Sequence, residues 1–370
     1  TRHSTLFPYT TLFRSVSCRP AWVKTSNRFT TLFSEAVEHA GWRVREFSWK
    51  PAGVLAPKVI LLHWPDEMFT ATGAFQNAKV ALKLAMLNIA RRVAGVRLVW
   101  VVHEATPHDS GKPASWSKRT FLKSLDGAIY LSHASKVTAE ADVPELKRVP
   151  ALITRHGHYR TDMETEPVAR VEPAGPINLV YFGQIRPYKN LDGLIRAARG
   201  ISPDLIRIRI SGWSKDPDFT RFLSELAASA PGVTLDIRDE LLPQADLETA
   251  IDASDGVVLP YRKILNSGAA LFALSRNRPV LAPRLGTLPE LHDEIGADWV
   301  QLYSGDDIVA NDLLAFAATL RQAKPTVADL SRYEWDEVGG SIGAFLDQLA
   351  QKTRSPRAGP LESQAERNWP

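Results

Sequence analysis

The chain has 370 residues, a length that predicts two domains of ordinary size, and its 44% hydrophobic and 23% charged residues are typical of a globular protein. No stretch approaches the roughly 20 apolar residues that cross a bilayer, and a net charge of only +4 argues against a general nucleic-acid binder. The single cysteine, Cys18, excludes an internal disulfide framework and favours a reducing compartment, so we expect a cytoplasmic protein.

The first fifteen residues have an unusual sequence. Residues 5–15 read TLFPYTTLFRS, which is the in-frame translation of a widely used sequencing adapter. We therefore expect residues 1–15 to be an assembly artefact that takes no part in the fold. The alternative is a genuine N-terminal segment. If the segment is an artefact, the first strand, near residues 16–18, is truncated, and the natural start and any targeting signal are missing.

The following residues alternate between apolar runs of strand length and helical stretches, the pattern of βα units around a parallel sheet. Continuous apolar runs predict strands that are buried on both faces, at residues 59–63, 98–102 and 127–131. Helices are predicted between them, at residues 27–40, 75–94 and 115–124. We interpret residues 16–162 as an N-terminal Rossmann-like domain.

A polar segment, residues 163–176, is the predicted linker to a second set of such units. Strands are predicted at residues 177–182, 206–211, 233–237, 256–259 and 279–282. Helices are predicted at residues 191–199, 218–230, 247–253 and 269–275. We interpret residues 177–330 as a C-terminal Rossmann-like domain, residues 331–351 as a C-terminal crossover helix region, and residues 352–370 as a disordered tail.

The first loop of interest in the second half is residues 181–190, YFGQIRPYKN. Open parallel sheets bind ligands beyond the carboxyl ends of their strands. Gly183 permits a tight turn at such an end, and Arg186 and Lys189 supply the positive charge that a diphosphate needs. The structural alternative is a glycine turn followed by ordinary surface cations.

A second loop of the same half, residues 259–275, contains Asn266, Ser267 and Gly268 at a predicted helix start. Exposed amides at a helix start bind anions, and Gly268 places no side chain in the way. The structural alternative is a simple N-cap by Asn266 or Ser267. Two loops of this kind after strands of one sheet together favour a nucleotide-diphosphate ligand.

At this point a family resemblance becomes specific. The motifs FGxIRPYK, LPYRKxxNSGxxLxALSxxRPVLAP, HWPD, HGHYR and GADWVxLYxG lie between about residues 63 and 335. They resemble those of the GDP-mannose:glycolipid β-1,4-mannosyltransferases of bacterial exopolysaccharide biosynthesis. The resemblance implies an α/β fold of GT-B type, in which two Rossmann-like domains face each other across a cleft. It also implies inversion at the mannosyl carbon, and a donor site formed by Gly183, Arg186, Lys189, Tyr261, Asn266, Ser267 and Gly268.

The chain departs from the wider retaining glycosyltransferases of this fold, which usually carry two glutamates eight positions apart. Ile264 and Phe272 occupy the corresponding positions here. The missing pair argues against the retaining family and leaves the ribose contact open, with Glu240 and Glu290 as weak candidates.

Another motif, residues 216–218 (DPD), matches the D-x-D pattern of metal-dependent transferases, but Asp218 before a helix is an ordinary N-cap. We expect no metal and no cofactor besides the nucleotide-sugar donor.

The first half supplies the predicted acceptor and catalytic residues. An inverting transfer needs a base for the acceptor hydroxyl; we rank Asp66 first, ahead of Asp109 and the pair His103–Glu104. The predicted acceptor-binding residues lie at strand ends and loops: His63, Trp64, His108, His156, His158 and Tyr159. Structural hydrogen bonding is the alternative for each histidine. Zinc at His156 and His158 lacks a third ligand.

The helix predicted at residues 75–94 has a wide apolar surface and the basic residues Lys79, Lys83, Arg91 and Arg92. Such a helix can lie in a membrane interface and bind anionic lipid, whereas the alternative is a buried helix with a basic outer stripe. With a lipid-linked acceptor as partner, we expect peripheral contact at the inner face of the plasma membrane, and no nucleic acid.

Three other functions are alternatives, and each would have different properties. A retaining glycosyltransferase with another nucleotide-sugar donor would give the opposite anomer. A non-catalytic two-domain sugar-binding protein would have no need for phosphate-binding cations, and a nucleotide-sugar epimerase would need no acceptor. The absence of G-x-G-x-x-G from the chain argues against a dinucleotide oxidoreductase.

Overall fold

A computed structural model of the chain describes residues 14–22, 28–69, 73–103, 115–169, 172–322 and 326–351. Its described residues form two compact units. One contains the residues up to Gly157 together with those from Tyr333, and the other is His158–Arg332. The predicted tail at residues 352–370 lies outside the described residues. No described helix is both long enough and apolar enough to cross a bilayer.

The first unit contains a six-stranded parallel sheet with the strand order β2-β1-β3-β4-β5-β6. Its strands are β1 Ser15–Arg19, β2 Arg43–Glu46, β3 Val59–Leu62, β4 Arg97–Val102, β5 Gly127–Tyr130 and β6 Ala151–Ile153. Its helices are α1 Phe29–His39, α2 Pro51–Leu55, α3 Ala74–Val93, α4 Ser115–Ser124, α5 His133–Asp142 and the last helix, α12 Trp335–Gln351. Strands β3, β4 and β5 are buried, as their continuous apolar sequences predict.

The second unit contains another six-stranded parallel sheet, with the order β12-β11-β10-β7-β8-β9. Its strands are β7 Ile177–Gln184, β8 Ile206–Trp213, β9 Val233–Arg238, β10 Gly256–Val258, β11 Val280–Pro283 and β12 Val300–Tyr303. Its helices are α6 Leu191–Ala198, α7 Pro217–Ala227, α8 Gln244–Asp252, α9 Gly268–Ser275, α10 Leu288–Ile295 and α11 Ala310–Gln322. The two Rossmann-like sheets match the predicted α/β class.

The chain changes from one unit to the other after Gly157, upstream of the segment predicted as a linker. Residues of that segment are bound within the second unit instead. Backbone N–H groups of Glu164 and Thr165 donate to the buried carboxylate of Glu248, at 3.0 and 2.9 Å. The guanidinium of Arg276, which is fully buried, donates to the Glu166 carbonyl oxygen at 3.2 Å. Buried charges need such partners, so residues 164–166, which are themselves exposed, are bonded to a buried charge network of the second unit.

The N-terminal segment also differs in part from its prediction. Residues 1–13 lie outside the described residues, but Arg14 and Ser15, which we expected to take no part in the fold, do so. Ser15 begins β1 and pairs with Arg43, whose backbone N–H donates to the Arg14 carbonyl oxygen at 2.9 Å. Arg14 also forms an ion pair with Asp347 at 2.8 Å. Even an adapter-derived residue could extend a strand, because parallel strands pair through backbone N–H and C=O groups that every residue except proline has.

The strand orders determine which loops meet. In the second unit β7 and β10 are neighbours, so the two predicted phosphate loops leave the same edge of one sheet. In the first unit β3 and β4 are neighbours, so the loops that carry His63 and His103 also lie side by side. Both pairs of loops follow the carboxyl ends of parallel strands, where this class of sheet binds its ligands.

Candidate active site

Arg186 is held by the residues that precede it. Gly183, at the end of β7, has a φ of +115°, a conformation that favours glycine. Gln184 follows, and its side-chain oxygen, oriented toward the guanidinium, accepts from Nε and Nη2 of Arg186 at 3.1 Å each. The hydroxyl of Tyr181 donates to the Gln184 carbonyl oxygen at 2.8 Å. The turn and these bonds orient a partly exposed guanidinium at the end of the strand.

Lys189 ends a short 3-10 turn and lies against aromatic rings of both loops. Its Nζ atom is 3.8 Å from the ring centroid of Tyr261 and 5.1 Å from that of Tyr188. A cation over an aromatic face is attracted by the ring quadrupole. Tyr261 is buried, and loss of hydration raises the pKa of its phenol well above the usual value, so the ring is neutral. The two rings therefore position the Lys189 ammonium group beside the loop that leads to α9.

Arg262 joins the two loops. Its backbone N–H donates to the Tyr188 carbonyl oxygen at 3.1 Å. Its guanidinium donates to Asp307 at 2.9 Å and lies 3.7 Å from Asp192. Sequence reasoning missed this brace because its members come from loops far apart in the chain. The brace fixes the spacing between the loop of Lys189 and the loop that leads to α9.

The start of α9 is capped by Ser267. Its hydroxyl oxygen accepts from the backbone N–H of Ala270 at 3.2 Å, so the predicted N-cap alternative is correct for this residue. The cap accepts from one of the amide groups that a helix start leaves without intrahelical partners. Asn266 and Gly268 beside it are partly exposed. The cap and an anion site are therefore compatible at this helix start.

In the first unit, His63 and His103 form a hydrogen-bonded pair at the ends of β3 and β4. Nδ1 of His63 lies 2.9 Å from Nε2 of His103. His63 is only 1% exposed, and burial lowers the pKa of its imidazole to about 3. Burial and the neighbouring His63 and His156 lower the pKa of His103 well below its usual value. Both rings are neutral at neutral pH.

Aromatic rings surround this pair. Trp64 stacks on His103 with 4.5 Å between ring centroids, and Phe29 meets the same imidazole edge-on at 5.1 Å. Phe29 also packs on His156 at 4.4 Å. Nδ1 of His156 lies 2.9 Å from the Gly157 carbonyl oxygen, and burial lowers its pKa to about 4. His103 and Trp64 are the partly exposed members of this cluster.

Asp66 begins a 3-10 turn, Asp66–Met68, directly after the loop of His63. Its side chain has an exposed surface, yet partial loss of hydration raises its pKa. The next residue, Glu67, differs: burial opposes its ionisation, but hydrogen bonds from Lys83 and Arg19 outweigh burial and lower its pKa. Of these two adjacent carboxylates, Asp66 is the better placed to accept a proton.

The other predicted acceptor residues are placed differently. Glu104, His108 and Asp109 lie outside the described residues. His158 and Tyr159 are buried in the second unit, whereas His63, Trp64, His103 and His156 belong to the first. The Tyr159 ring packs on Phe272 at 5.4 Å and its N–H donates to Ser275 at 2.9 Å. Burial gives Tyr159 a packing role within its unit and not an open face for a sugar.

The D-x-D segment is a helix start, as expected, but the cap is a different residue. Asp216, and not Asp218, is the N-cap of α7, since its carboxylate accepts from the Phe219 N–H at 2.9 Å. Asp218 pairs with Arg221. Among the described residues no group of three or more histidine, cysteine or acidic side chains could hold a metal ion. Metal independence stays a prediction.

Comparisons with known proteins agree with the predicted fold and resemblance. No protein-family model matches the chain. It is 28% identical over 316 residues to a GDP-mannose:glycolipid 4-beta-D-mannosyltransferase of Xanthomonas campestris pv. campestris, covering 85% of this chain and 86% of that protein. A second such protein, from a named strain of the same pathovar, matches over the same shares.

Solved structures with similar folds include a sucrose-phosphate synthase from Thermosynechococcus elongatus, with a TM-score of 0.56, 14% identity, and coverage of 89% of this chain and 80% of that one. The Anabaena protein HepE in complex with UDP-glucose has a TM-score of 0.53 and 15% identity, with coverage of 91% and 97%. The predicted fold class is therefore confirmed. The chain has the α/β fold of GT-B type glycosyltransferases, and in sequence it is similar to the GDP-mannose:glycolipid 4-β-mannosyltransferases.

Proposed function

We propose that the chain is an inverting glycosyltransferase that moves mannose from GDP-mannose to a lipid-linked oligosaccharide in exopolysaccharide biosynthesis. One observation carries the proposal: the loops of Lys189 and Gly268 leave adjacent strands of one sheet and are joined by Arg262. This arrangement supplies two cations and a helix start for one diphosphate. The names of the two curated relatives supply the donor and the glycolipid acceptor.

On the donor side, the diphosphate gains negative charge as the bond to the mannosyl carbon breaks. The Arg186 guanidinium and the Lys189 ammonium stabilise that charge, and the free amides of α9 add oriented dipoles. Because these groups are preorganised by Gln184, Tyr261 and Arg262, they need little rearrangement during the reaction. They perform the task that a divalent cation performs in metal-dependent transferases, so we expect catalysis without a metal.

On the acceptor side, we propose that Asp66 is the base. Its raised pKa makes the ionised Asp66 carboxylate a better proton acceptor than an ordinary aspartate. The acceptor hydroxyl loses its proton to Asp66 as its oxygen attacks the mannosyl carbon from the face opposite the diphosphate. An α-linked donor then gives a β-mannoside. Asp109 is the alternative carboxylate.

A donor panel followed by a transfer assay tests the function. The protein is heated with GDP-, UDP-, ADP- and dTDP-sugars, and the best donor is then supplied with lipid-linked oligosaccharides extracted from bacterial membranes. We expect GDP-mannose to raise the melting temperature most, and β-mannosyl transfer to persist in excess chelator. Preference for another nucleotide would contradict GDP-mannose as the donor, and an α-linked product would indicate a retaining enzyme. Conversion of the sugar nucleotide to another sugar nucleotide in the absence of acceptor would indicate an epimerase. Binding of a donor without any reaction would indicate a binding protein.

Replacing either donor cation is expected to weaken GDP binding. Arg186→Ala and Lys189→Ala each remove a charge-assisted contact worth about 1.5–3 kcal/mol, which corresponds to about a tenfold to hundredfold rise in Kd by calorimetry. Both side chains are partly exposed, so the melting temperature should change little. Arg196→Ala is the matched control, because that arginine pairs with Asp192 on the surface of α6. Wild-type GDP affinity in both variants would remove this loop from the donor site.

We further propose that α3 and α4 bind the inner face of the plasma membrane, where a lipid-linked acceptor lies. Exposed apolar residues repeat along α3 at helical spacing: Phe75, Leu82, Ile89 and Val93 are 81%, 63%, 54% and 80% exposed. The opposite side of α3 is buried. The alternative of a buried helix with a basic outer stripe fits α3 less well, since its exposed residues are mainly apolar.

Helix α4 extends this surface with aromatic and basic side chains. Trp116 is exposed and its indole N–H donates to Asn77 of α3 at 3.3 Å. Arg119 and Lys123 follow at helical spacing and are exposed, and neither helix contains an acidic residue. Apolar residues beside unneutralised cations are typical of surfaces that bind anionic lipid.

The double variant Leu82→Glu/Ile89→Glu is expected to bind vesicles that contain phosphatidylglycerol at least about tenfold more weakly, because two apolar side chains no longer enter the bilayer. Co-sedimentation measures the bound fraction. Leu314→Glu is the control, since Leu314 is an exposed leucine of α11 in the second unit. Equal binding by wild type and the double variant would show that the surface has another role.

A further inference from the structure

A cavity of about 570 Å³ lies at the edge of the first sheet, a volume within the range of small-molecule sites. Residues of β1, β2 and α2 line it, and α2 has only five residues, so it covers little of the two strands. The lining reaches the start of β1 and Pro57, close before β3. The cavity therefore lies away from the carboxyl ends of β1 and β3, where the candidate acceptor loops begin.

Two arginines of β2 line this cavity. In the parallel ladder Ser15 pairs with Arg43 and Ser17 with Arg45, and side chains alternate between faces, so these four side chains share one face of the sheet. Both arginines are exposed, and neither guanidinium has an ion pair or hydrogen bond with a residue that the structure describes. Two guanidinium groups without a carboxylate partner on one strand face favour an anionic ligand.

Ser17 adds a buried polar group beside them. It is only 3% exposed and lines the cavity. Its hydroxyl makes no hydrogen bond with the described part of the chain. The large majority of buried polar side-chain atoms have a hydrogen-bond partner. Ser17 therefore indicates that a polar atom of a ligand belongs in the cavity, next to the arginines.

The other charged groups among the described lining residues are already bonded elsewhere. The Oε2 atom of Glu46 accepts from the backbone N–H groups of Ala21 and Trp22, at 2.8 and 3.1 Å. The guanidinium of Arg14 pairs with Asp347 at 2.8 Å. Arg14 also belongs to the segment with the adapter sequence, so a site that needs only β1 and β2 does not depend on it.

Helix α2 keeps the cavity open and connects it to α3. Its small residues Ala52 and Gly53 line the cavity, as does Ala56 after it. A Cβ atom at residue 53 would collide with the carbonyl oxygen and hydroxyl of Ser48, so glycine permits this close packing. Helix α2 also packs against α3, and its Leu55 is 42% exposed. It therefore lies between the cavity and the α3 surface that is proposed to bind the membrane.

We propose that Arg43, Arg45 and Ser17 bind the phosphate group of an anionic ligand in this cavity. The guanidinium groups donate in two-pronged fashion to phosphate oxygens, and the Ser17 hydroxyl donates to another. Two sources supply such a group: the headgroup of an anionic lipid, which membrane contact by α3 would bring close, and a soluble phosphate ester. The site belongs to the first unit and goes beyond the proposed transferase function, whose predicted donor loops belong to the second.

Spectra of the arginine side chains test the soluble source. In ¹H–¹⁵N spectra of the full chain labelled with ¹⁵N-arginine, the single variants Arg43→Gln and Arg45→Gln assign the two Nε–H signals. For a soluble ester, glycerol 3-phosphate should shift both signals in a saturable manner. Ser17→Ala should then weaken its binding about fivefold, the effect of one hydrogen bond to a charged group. The Arg186 signal reports separately on the donor loops.

Vesicles of phosphatidylcholine and phosphatidylglycerol test the lipid source by co-sedimentation. Arg43→Gln/Arg45→Gln is expected to bind them at least about tenfold more weakly than wild type, because two charge-assisted contacts are lost. Arg43→Lys/Arg45→Lys keeps the charge but loses the two-pronged geometry, so its binding should stay below wild type. Arg199→Gln/Arg207→Gln removes two exposed arginines of the second unit and is the charge-matched control, expected to bind like wild type.

The two assays distinguish the sources. Shifts with glycerol 3-phosphate identify a soluble ester as a sufficient ligand, whereas vesicle binding that the glutamine variant loses, without such shifts, identifies a lipid headgroup. Two results would overturn the site. One is a glutamine variant equal to wild type in both assays. The other is full vesicle binding by the lysine variant with no response to glycerol 3-phosphate, which indicates diffuse charge attraction. Neither assay measures sugar transfer, so failure of the proposed function would leave this test intact.

Discussion

Gly268→Val is expected to abolish GDP binding while largely preserving the melting temperature. Gly268 is the first residue of α9 and is partly exposed, and the cap from Ser267 accepts from the Ala270 N–H farther along the helix. A diphosphate that approaches the first amides must pass the Gly268 Cα atom, where valine would place two methyl groups. The expected loss of affinity is at least about hundredfold, because the helix start and the charge it orients are blocked together.

Gly268→Val is expected to change the free energy of unfolding much less than it changes the affinity for GDP. Valine is an acceptable residue in a helix and has a better intrinsic helix propensity than glycine by a few tenths of a kcal/mol. Isothermal titration with GDP measures the binding, and thermal unfolding measures the stability. Gly340→Val in α12 is the matched control, because a Cβ atom at Gly340 would meet no atom within 4 Å. If Gly268→Val binds GDP like the wild type, the α9 start is only a cap.

Parallel strands buried on both faces have continuous apolar sequences, and the sequence predicted nine of the twelve described strands. It missed β2, β6 and β12, which are short strands at sheet edges. Residues 98–102, for example, were predicted as a strand, and the structure has Arg97–Val102. The strand order was not predictable in this way. It is the order that makes β7 and β10 neighbours and so brings two phosphate-type loops together. Local sequence determines where a strand lies, whereas packing over the whole unit determines its neighbours.

The errors have identifiable physical causes. Residues 163–176 were predicted as a linker because they are polar, yet Thr165 is bonded to the buried Glu248 and Arg276. Periodicity does not reveal a buried charge network. The cap of α7 was predictable, however: proline favours the first position of a helix, so Pro217 indicates Asp216 as the N-cap. The stacking of Lys189 on Tyr261 depends on contact between loops and leaves no signal in the sequence.

Asp66→Asn is expected to lower the turnover number by roughly 10²–10⁴, because the amide keeps the size of the carboxylate and removes its basicity. Asp66 begins the turn after β3, and Pro65 before it restricts the backbone, so the side chain is held at the end of the strand. The Kd for GDP should barely change, because the predicted donor loops belong to the other unit. Steady-state transfer assays with saturating GDP-mannose measure the turnover.

The pH profile gives an independent test of the same residue. A carboxylate base works only when ionised, so turnover falls as the pH drops through its pKa. Partial loss of hydration raises the pKa of Asp66, so this acidic limb should lie above the range of an ordinary aspartate, and Asp66→Asn should remove it. Glu67→Gln is the control: Arg19 and Lys83 bind that carboxylate and lower its pKa, so near-normal turnover is expected.

Three outcomes would contradict Asp66 as the base. Near-normal turnover of Asp66→Asn with loss in Asp109→Asn would place the base on the neighbouring loop. Loss of turnover in His103→Ala, with Asp66→Asn near normal, would likewise place the base on the neighbouring loop. If all three variants stay active, or the product is the α-anomer, the inverting mechanism itself is wrong.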